Sequence, residues 1–260
     1  MTQNDRVGRP VAVVTGGCQG LGLAAASALA TAGFDVGILD IQPLPDDAAK
    51  ELAARGARFT SAIFDLADLA GHEAAIDRIE DELGPIDCLI DNAGIAARPL
   101  TDILDLGVEA FDRAVDVNLR GTFFFTQAVA RRMVARTSEA YRSVIIVTSI
   151  AAELANTDRS QYCVTKAGLS MTAKLFAVRL AGAGIHVHEV RPGLITTAMT
   201  ASSGSTKGDQ SITSGEVPIA RWGRPDDVGQ TIATLASGAL PYSTGAAIWV
   251  AGGLQIPTAP

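Results

Sequence analysis

The chain has 260 residues, of which 48% are hydrophobic and 19% charged, with a formal net charge of −7 and a pI near 5.0. This composition supplies a substantial core and excludes wholesale disorder, and the net negative charge argues against a surface that binds nucleic-acid phosphates. No stretch is apolar enough for a transmembrane helix, and the polar amino terminus lacks a signal-peptide core. The three cysteines and three histidines are scattered and form neither a disulfide framework nor a metal-ligand pattern. We therefore expect a cytoplasmic protein without a metal site and without a membrane or nucleic-acid partner.

Short apolar, β-rich runs alternate along the chain with longer Ala- and Leu-rich stretches of helical character. This alternation predicts an α/β fold, in which right-handed crossovers wind a parallel sheet into a doubly wound Rossmann fold. No repeat and no linker separates two cores, so residues 1–260 are predicted to form a single domain. The predicted strands are Val11–Thr15, Phe34–Asp40, Arg58–Phe64, Ile86–Asp91, Val144–Ser149, Ile185–Val190 and Ala247–Val250. The predicted helices are Leu21–Ala32, Leu69–Leu83, Glu109–Ala135, Cys163–Ala181 and Asp226–Ser237.

Two stretches are predicted to be irregular. Thr200–Val217 is rich in Ser, Thr and Gly and follows a strand end, so it is either a mobile lid or a solvated surface loop. Arg136–Arg142 is polar and precedes the fifth strand, and we expect a surface loop there.

The first strand leads into a glycine-rich turn, Thr15–Gly22, and an alanine-rich helix follows it. Glycines permit a tight turn and let backbone N–H groups approach a pyrophosphate, which then faces the positive end of the helix. This strand–turn–helix context predicts a dinucleotide site. The candidate cofactor-binding residues in the turn are Gly16, Gln19, Gly20, Leu21 and Gly22.

Asp40 ends the second predicted strand, about 20 residues after the glycine turn. A carboxylate at this place accepts hydrogen bonds from the adenosine ribose hydroxyls and repels a 2′-phosphate, so NAD is favoured over NADP. Gln19, Ile41 and Gln42 supply no cation for such a phosphate. Asp40 and Ile41 are therefore predicted to contact the cofactor; the alternative is a solvated aspartate at a strand end.

Polar residues also follow the third and fourth strands, and ligands bind at the carboxyl ends of strands in open parallel sheets. Asp65-Leu66 follows the third strand, where Asp65 is either a partner of the adenine amino group or a turn residue. Asn92, Ala93 and Gly94 follow the fourth strand and are predicted to line the same site.

Tyr162 and Lys166 stand four residues apart, which places both on one face of a helix. A free phenol has a pKa near 10, and an ammonium group beside it stabilises the phenolate. Ser149 ends the preceding strand, so its hydroxyl can hold the same substrate oxygen that Tyr162 protonates. These residues predict a hydride-transferring oxidoreductase that acts on a small carbonyl or alcohol, with Tyr162 as acid and base.

Together these motifs resemble the short-chain dehydrogenase/reductase family, in its single-domain branch, from about Val11 to Gly253. The resemblance implies a catalytic tetrad in which Asn118 distorts its helix to hold a water and completes a proton relay through Lys166. Lys166 is then also a ligand of the nicotinamide ribose. Two departures, Asp91 for the usual asparagine and Cys163–Thr165 for the usual small residues, remove no catalytic group. The implied tetrad is Asn118, Ser149, Tyr162 and Lys166, and the implied further cofactor contacts are Tyr162, Pro192, Gly193, Ile195 and Thr197.

The two longest helical stretches, Glu109–Ala135 and Asn156–Ala181, carry wide apolar surfaces. In the family such helices pair between subunits, and the resemblance implies a homotetramer. The alternative is that one subunit satisfies both faces internally.

Two carboxy-terminal segments and Asp40 bear on the choice of substrate. Pro218–Asp227 and Gly245–Gly253 resemble 3-oxoacyl-acyl-carrier-protein reductases, for which Arg131 and Arg132 are candidates to dock an acidic carrier. Those enzymes usually prefer NADP, whereas Asp40 points to NAD. We therefore expect a small sugar, polyol or hydroxy acid, with a 3-oxoacyl thioester as the alternative and a non-catalytic NAD-binding regulator as a more distant one. The candidates for a polar pocket mouth are Arg98, Glu153, Asn156 and Arg159.

Overall fold

A computed structural model describes residues 8–197 and 206–257, and its centre is a seven-stranded, wholly parallel sheet. The spatial order of the strands is β3-β2-β1-β4-β5-β6-β7. All seven predicted strands are present, which confirms the doubly wound Rossmann fold. The strands are β1 Val11–Thr15, β2 Asp35–Asp40, β3 Phe59–Ile63, β4 Ile86–Asp91, β5 Arg142–Val147, β6 Ile185–Pro192 and β7 Ala247–Val250.

The order of the strands reverses between β1 and β4. The chain first winds outward from β1 to β3, then returns to β4 and winds outward in the other direction to β7. The crossover connections diverge at this point and leave a crevice at the carboxyl ends of β1 and β4, where ligands bind in open α/β sheets.

The eight α-helices of the described residues cover both faces of the sheet. Because both faces are covered, β1, β2, β4 and β5 are buried along their whole length. The helix Asp46–Ala54 was not predicted, since it is short and polar on average and buries only Ala48 and Leu52. The helices are α1 Gly20–Thr31, α2 Asp46–Ala54, α3 His72–Leu83, α4 Val108–Ala114, α5 Thr122–Ala135, α6 Ser160–Leu180, α7 Thr206–Thr213 and α8 Pro225–Ala236.

The predicted helix Glu109–Ala135 is divided in the structure. α4 and α5 are separated by a π-helical segment, Val115–Gly121, which contains Asn118. A π segment widens the helix locally and is frequent at functional sites. The distortion at Asn118 that the family resemblance implied is therefore present.

The prediction of a surface loop over Arg136–Arg142 is wrong at its end, because Arg142 is buried and begins β5. Its guanidinium group donates hydrogen bonds to the carbonyl oxygens of Met133, Arg136 and Ala183, at 2.6, 3.2 and 2.6 Å. Three acceptors compensate the desolvation of this buried charge, and they are brought together only by the tertiary fold.

The prediction of an irregular segment over Thr200–Val217 is wrong for its second half, which contains α7. Trp222 donates a hydrogen bond from its indole Nε1 to the Asp209 carboxylate at 2.8 Å and so anchors this helix. The part of the prediction that concerns residues 200–205, including the question of a lid, lies outside the described residues.

Candidate active site

The three predicted catalytic side chains meet at the carboxyl edge of the sheet. Ser149 stands two residues after β5, and Tyr162 and Lys166 lie on successive turns of α6. The Lys166 Nζ lies 5.6 Å from the centre of the Tyr162 ring, and the Ser149 hydroxyl forms a hydrogen bond with Tyr162. The serine, phenol and ammonium groups thus form one constellation.

Lys166 is buried, and its ammonium group donates a hydrogen bond to the Val147 carbonyl oxygen at 2.9 Å. Burial lowers the pKa of Lys166 to about 8, while the Glu189 carboxylate opposes this change. The side chain therefore remains mostly charged at neutral pH. A carbonyl at the end of β5 fixes its position beside Tyr162.

The phenol of Tyr162 is subject to opposing influences. Burial raises the pKa of Tyr162, whereas the hydrogen bond with Ser149 and the positive charge of Arg159 lower it. Any further positive charge beside the phenol would lower its pKa.

Asn118 is fully buried in the π segment and connects α6 to the loop after β4. Its Oδ1 accepts a hydrogen bond from the Ile95 N–H at 2.7 Å, and its Nδ2 donates to the Ile95 carbonyl at 3.0 Å. A Cβ placed on Gly94 would lie 3.1 Å from the Asn118 Oδ1 and 3.9 Å from the Lys166 Nζ. Asn118, Gly94 and Lys166 therefore lie against one another.

The glycine turn lies at the switch point and is held by the loop after β4. The Asn92 and Ala93 N–H groups donate to the Thr15 hydroxyl at 3.0 and 3.1 Å, and the Asn92 side chain donates to the Gly16 carbonyl at 3.1 Å. Gly22 permits the close approach of the helix, because a Cβ there would lie 2.0 Å from the Gly16 carbonyl oxygen. The predicted residues of both loops are brought together.

The amino terminus of α1 has the properties of an anion site. The N-cap residue Gln19 makes no side-chain hydrogen bond to the helix, and the first turn contains no acidic residue. The first N–H groups of the helix therefore lack a side-chain cap, and they point along the positive end of the helix dipole. A pyrophosphate is the kind of group that fits this end.

Asp40 is buried at the end of β2, and both carboxylate oxygens contact the backbone. One accepts a hydrogen bond from the Cys18 N–H and the other from the Gln42 N–H, each at 3.0 Å. Asp40 therefore ties the glycine turn to β2, and each of its oxygens retains a further lone pair for a ribose hydroxyl. Ile41 is exposed beside it.

The remaining predicted cofactor residues have distinct surroundings. Asp65 accepts a hydrogen bond from the Ala67 N–H at 2.9 Å, which is the geometry of a turn residue, while Leu66 is buried. Ile195 is also buried, and its side chain packs in the hydrophobic core. Thr197 lies beside the glycine turn, since a Cβ on Gly20 would lie 3.8 Å from its side chain.

Pro192 ends β6, and Gly193 follows it against β7. A Cβ on Gly193 would lie 2.8 Å from the Ala251 Cα, so the chain turns here only because this residue has no side chain. This turn directs residues 194–197 back toward the glycine turn.

The proposed pocket mouth is only partly free. The Glu153 carboxylate forms an ion pair with Arg191, and the Asn156 side chain accepts a hydrogen bond from the Asp158 N–H at 3.0 Å. Arg159 is half-buried directly before α6, and its positive charge acts on Tyr162. Arg98 lies in the loop after β4 and precedes a cis proline.

Sequence reasoning missed a buried ion pair next to the catalytic residues, Glu189 with Arg191. The signal in the sequence is two opposite charges at alternate positions of a strand, which places both on one face of β6. Buried charges of this kind are rare unless they are paired.

Among the described residues, no group of three or more His, Cys, Asp or Glu side chains is arranged to hold a metal ion. Within the same residues, none of the helices combines the length and apolar character needed to cross a bilayer.

A model of the family described as enoyl-(acyl carrier protein) reductase matches residues 16–255. The chain belongs to the short-chain dehydrogenase/reductase family. It is 35% identical over 243 residues to a cis-4-hydroxycyclohexanecarboxylate dehydrogenase from Sinomonas cyclohexanicum, a match that covers 94% of this chain and 95% of the relative. Members of the family are oxidoreductases that use nicotinamide cofactors.

Two solved structures of the short-chain dehydrogenase/reductase family illustrate the range of its cofactors. A 3-oxoacyl-acyl-carrier-protein reductase from Brucella melitensis in complex with NAD is 44% identical, with a TM-score of 0.93 over 96% of this chain and 99% of that chain. A structure from Agrobacterium tumefaciens with bound NADP, provisionally named 2-deoxy-D-gluconate 3-dehydrogenase, is 29% identical, with a TM-score of 0.85 over 96% and 98%. Membership of the family therefore leaves the choice between NAD and NADP to the residues of this chain.

Proposed function

We propose that this short-chain dehydrogenase/reductase interconverts a secondary alcohol and a ketone with NAD as its preferred cofactor. One observation carries the proposal. Ser149, Tyr162 and Lys166 meet at the sheet edge onto which the glycine turn also opens.

The bound nicotinamide would supply or accept the hydride, and the residues of this chain handle the proton. Ser149 holds the substrate oxygen, and Tyr162 donates its proton to that oxygen in reduction or removes it in oxidation. Lys166 stabilises the phenolate, and it is also the proposed ligand of the nicotinamide ribose. We propose, from the family resemblance, that Asn118 holds the water that returns the proton through Lys166.

The residues around the glycine turn fit a dinucleotide. The turn has no side chain at three positions next to the uncapped amino terminus of α1, namely Gly16, Gly20 and Gly22. A pyrophosphate can therefore approach the backbone N–H groups there. Leu66, Asn92 and Ala93 line the same crevice from the neighbouring strand ends and are proposed to face the adenosine half. The residues 192–197 are proposed to face the nicotinamide and its phosphates.

The preference for NAD rests on Asp40. Its buried carboxylate would accept hydrogen bonds from the ribose hydroxyls and would repel a 2′-phosphate. The exposed neighbour Ile41 contributes no positive charge to offset that repulsion.

Among small substrates we favour a hydroxy acid and its keto acid. Arg159 stands directly before α6, one turn from Tyr162, and its positive charge already acts on the phenol. A guanidinium group at this distance can bind a substrate carboxylate and orient the carbonyl toward Tyr162. The name of the Sinomonas relative, a hydroxycyclohexanecarboxylate dehydrogenase, describes a substrate of this kind.

A second candidate is a 3-oxoacyl thioester, because the Brucella structure with 44% identity bears that name. Docking of an acidic carrier protein would need free basic residues. Arg132 is not such a residue, since it is bound to Glu73, Asp77 and Glu80 at 2.6, 2.6 and 3.0 Å.

The decisive variant is Tyr162→Phe. We expect it to lower kcat by roughly 10²- to 10⁴-fold and to leave NADH binding within about twofold, because the phenol moves the proton while the crevice binds the cofactor. Steady-state kinetics and fluorescence titration with NADH measure the two quantities. Tyr141→Phe, a half-buried phenol outside the site, is the matched control and should keep its turnover.

The outcome that contradicts the proposal is an active Tyr162→Phe variant. A wild-type protein that binds NADH but reduces no member of a broad carbonyl panel would instead support a cofactor-binding regulator.

The substrate class is tested with pairs of keto acids and their neutral amides, together with an acetoacetyl thioester. We expect the keto acid to be preferred, and Arg159→Gln to raise its KM by roughly tenfold or more while the KM of the amide stays the same. A preference for the thioester that Arg159→Gln does not change would favour the second candidate.

We further propose that the chain forms one domain and assembles as a homotetramer through α4–α5 and α6, as the family resemblance implies. Exposed apolar residues on α6 support the assembly. We also propose a reducing, cytoplasmic setting, which agrees with three cysteines that are unpaired in the structure.

A further inference from the structure

A buried ion pair, Glu189 with Arg191, lies on the face of β6 that is turned toward α6. Both residues are almost completely inaccessible to solvent. The Arg191 Nε and Nη2 donate to the two Glu189 carboxylate oxygens at 2.7 and 3.1 Å. A buried pair with two parallel hydrogen bonds has a defined geometry, unlike a surface salt bridge.

The pair binds the strand end that carries Ser149. The Thr148 hydroxyl donates to the Glu189 Oε1 at 2.6 Å, and the Thr148 N–H donates to the Val190 carbonyl at 2.9 Å. Arg191 also forms an ion pair with Glu153, at the end of the short helical turn that follows Ser149. Ser149 therefore stands between two contacts of the same pair.

The pair also binds the helix that carries Tyr162 and Lys166. The Ser170 hydroxyl donates to the Glu189 Oε2 at 2.9 Å and accepts from the Arg191 Nη2 at 2.8 Å. Ser170 lies one turn after Lys166 on the same face of α6. On its other side the Arg191 guanidinium stacks on the Trp249 ring of β7, at 4.7 Å from the ring centre.

We propose that Glu189 and Arg191 are positioning residues of the catalytic centre, which hold Ser149 in register with Tyr162 and Lys166 and place a buried negative charge behind the Lys166 ammonium group. This inference rests on the proposed function of the same site. Thr148, Ser170 and Glu153 connect the pair to both catalytic elements, and we refer to these five residues as the Glu189–Arg191 network.

The charge balance around Lys166 follows from the groups that surround it. The titratable group on its own helix is Tyr162, and the charged Arg159 directly precedes that helix. The charged groups on β6 are Glu189 and Arg191, and the turn after β5 adds Glu153. The π segment contributes the uncharged Asn118. The Glu189 carboxylate raises the pKa of Lys166 against the effect of burial.

Glu189→Gln separates this role from a purely structural one. It keeps the size of the side chain and removes the charge, so we expect kcat for ketone reduction to fall by roughly 10- to 100-fold while NADH binding is unchanged. The basic limb of the kcat–pH profile, which reports loss of the Lys166 proton, should move to lower pH by about one unit. The ionisation of Tyr162 in the cofactor-free protein can be followed by absorbance, with the titration of Tyr162→Phe subtracted. The midpoint of this titration should also differ between wild type and Glu189→Gln.

Asp35→Asn is the matched control. Asp35 is an equally buried carboxylate in an ion pair with Arg58, at 2.6 Å, but it stands at the amino end of β2. The Asp35→Asn variant should have a lower Tm, with the basic limb of the kcat–pH profile and the midpoint of the tyrosine titration unchanged. If Glu189→Gln lowers Tm in the same way and leaves both quantities in place, the pair is only structural and the inference is wrong.

Thr148→Val is the second test, and it applies even if Glu189→Gln does not fold. It removes one hydrogen bond between the network and the strand end but keeps every charge. We expect kcat to fall by roughly three- to tenfold with an unchanged basic limb. An unchanged kcat would overturn the positioning role. A wild-type protein without any turnover would instead reject the proposed function and leave the tyrosine titration as the test of the network.

Discussion

Lys166 and Asp91 are both buried, and burial favours the uncharged form of each side chain. The pKa of Lys166 falls to about 8, and that of Asp91 rises from 3.8 to about 7. Lys166 has a carbonyl acceptor and the nearby Glu189 charge. Asp91 has one contact, a hydrogen bond from the Thr126 hydroxyl to its Oδ2 at 2.6 Å, while its Oδ1 has no partner among the described residues.

The stability of the protein should therefore depend on the protonation of Asp91. The carboxyl group holds its proton more tightly in the folded chain, with a pKa of about 7, than in the unfolded chain, with a pKa of 3.8. Its contribution to the free energy of unfolding is complete below pH 3.8 and is lost as the pH rises through about 7.

Asp91→Asn should remove this loss. The amide keeps an acceptor for Thr126, needs no proton and carries no charge into the core. We expect Tm to rise by roughly 4 to 10 °C at pH 8 and to change little at pH 4, as measured by calorimetry across that range.

Asp87→Asn is the control for Asp91→Asn on the same strand. Asp87 forms an ion pair with Arg136 at 2.8 Å, so loss of its charge should lower Tm at pH 8. Equal Tm values for wild type and Asp91→Asn at pH 8 would show that the buried Asp91 carboxylate does not lower the free energy of unfolding.

At the scale of elements, the end of β2 and the glycine turn act together. Asp40 accepts hydrogen bonds from both the Cys18 and the Gln42 N–H groups. It therefore holds the conformation of the glycine turn and also supplies a negative charge to the site. The double change Asp40→Ala with Ile41→Arg should replace repulsion of a 2′-phosphate by attraction.

We expect this double variant to shift the ratio of kcat/KM for NAD over NADP by roughly 100-fold or more toward NADP. Ile41→Arg alone should shift it less, and Asp40→Asn tests the loss of charge with an acceptor retained. An unchanged ratio in the double variant would mean that Asp40 does not face the ribose.

The elements themselves could be predicted where the pattern is local. The seven strands are short apolar runs between turns, and the main helices are longer stretches rich in Ala and Leu. The local pattern predicted neither the π segment around Asn118, which only the family resemblance implied, nor the buried start of β5 at Arg142. Both depend on partners distant in the chain, Ile95 for Asn118 and the carbonyls of Met133 and Ala183 for Arg142.

At the scale of the whole molecule, α6 has apolar residues on two faces. Its inner face packs in the core, and its outer face carries Met171, Leu175 and Val178, which are 53%, 57% and 84% exposed. A helix with a second, exposed apolar face has a second partner, and we propose that this partner is another copy of the chain.

Met171→Lys together with Leu175→Glu should dissociate the proposed tetramer, because charges replace the apolar contact. Light scattering after size exclusion measures the mass, and Ile63→Glu, which changes an apolar residue exposed at the end of β3, is the control. A wild-type monomer, or a double variant with unchanged mass, would contradict assembly through this face.

The amino-acid sequence by itself determined the doubly wound fold and the residue types of the site, because apolar strand runs, glycine turns and the spacing of Tyr162 and Lys166 act over a few residues. The tertiary structure decided which charges are buried and with what partners. Glu189 and Arg191 on β6, Thr148 after β5 and Ser170 on α6 meet only after three elements have packed. Desolvation depends on this packing, so neither the pKa of Lys166 nor the proposed positioning of Ser149 could be derived from the order of the residues.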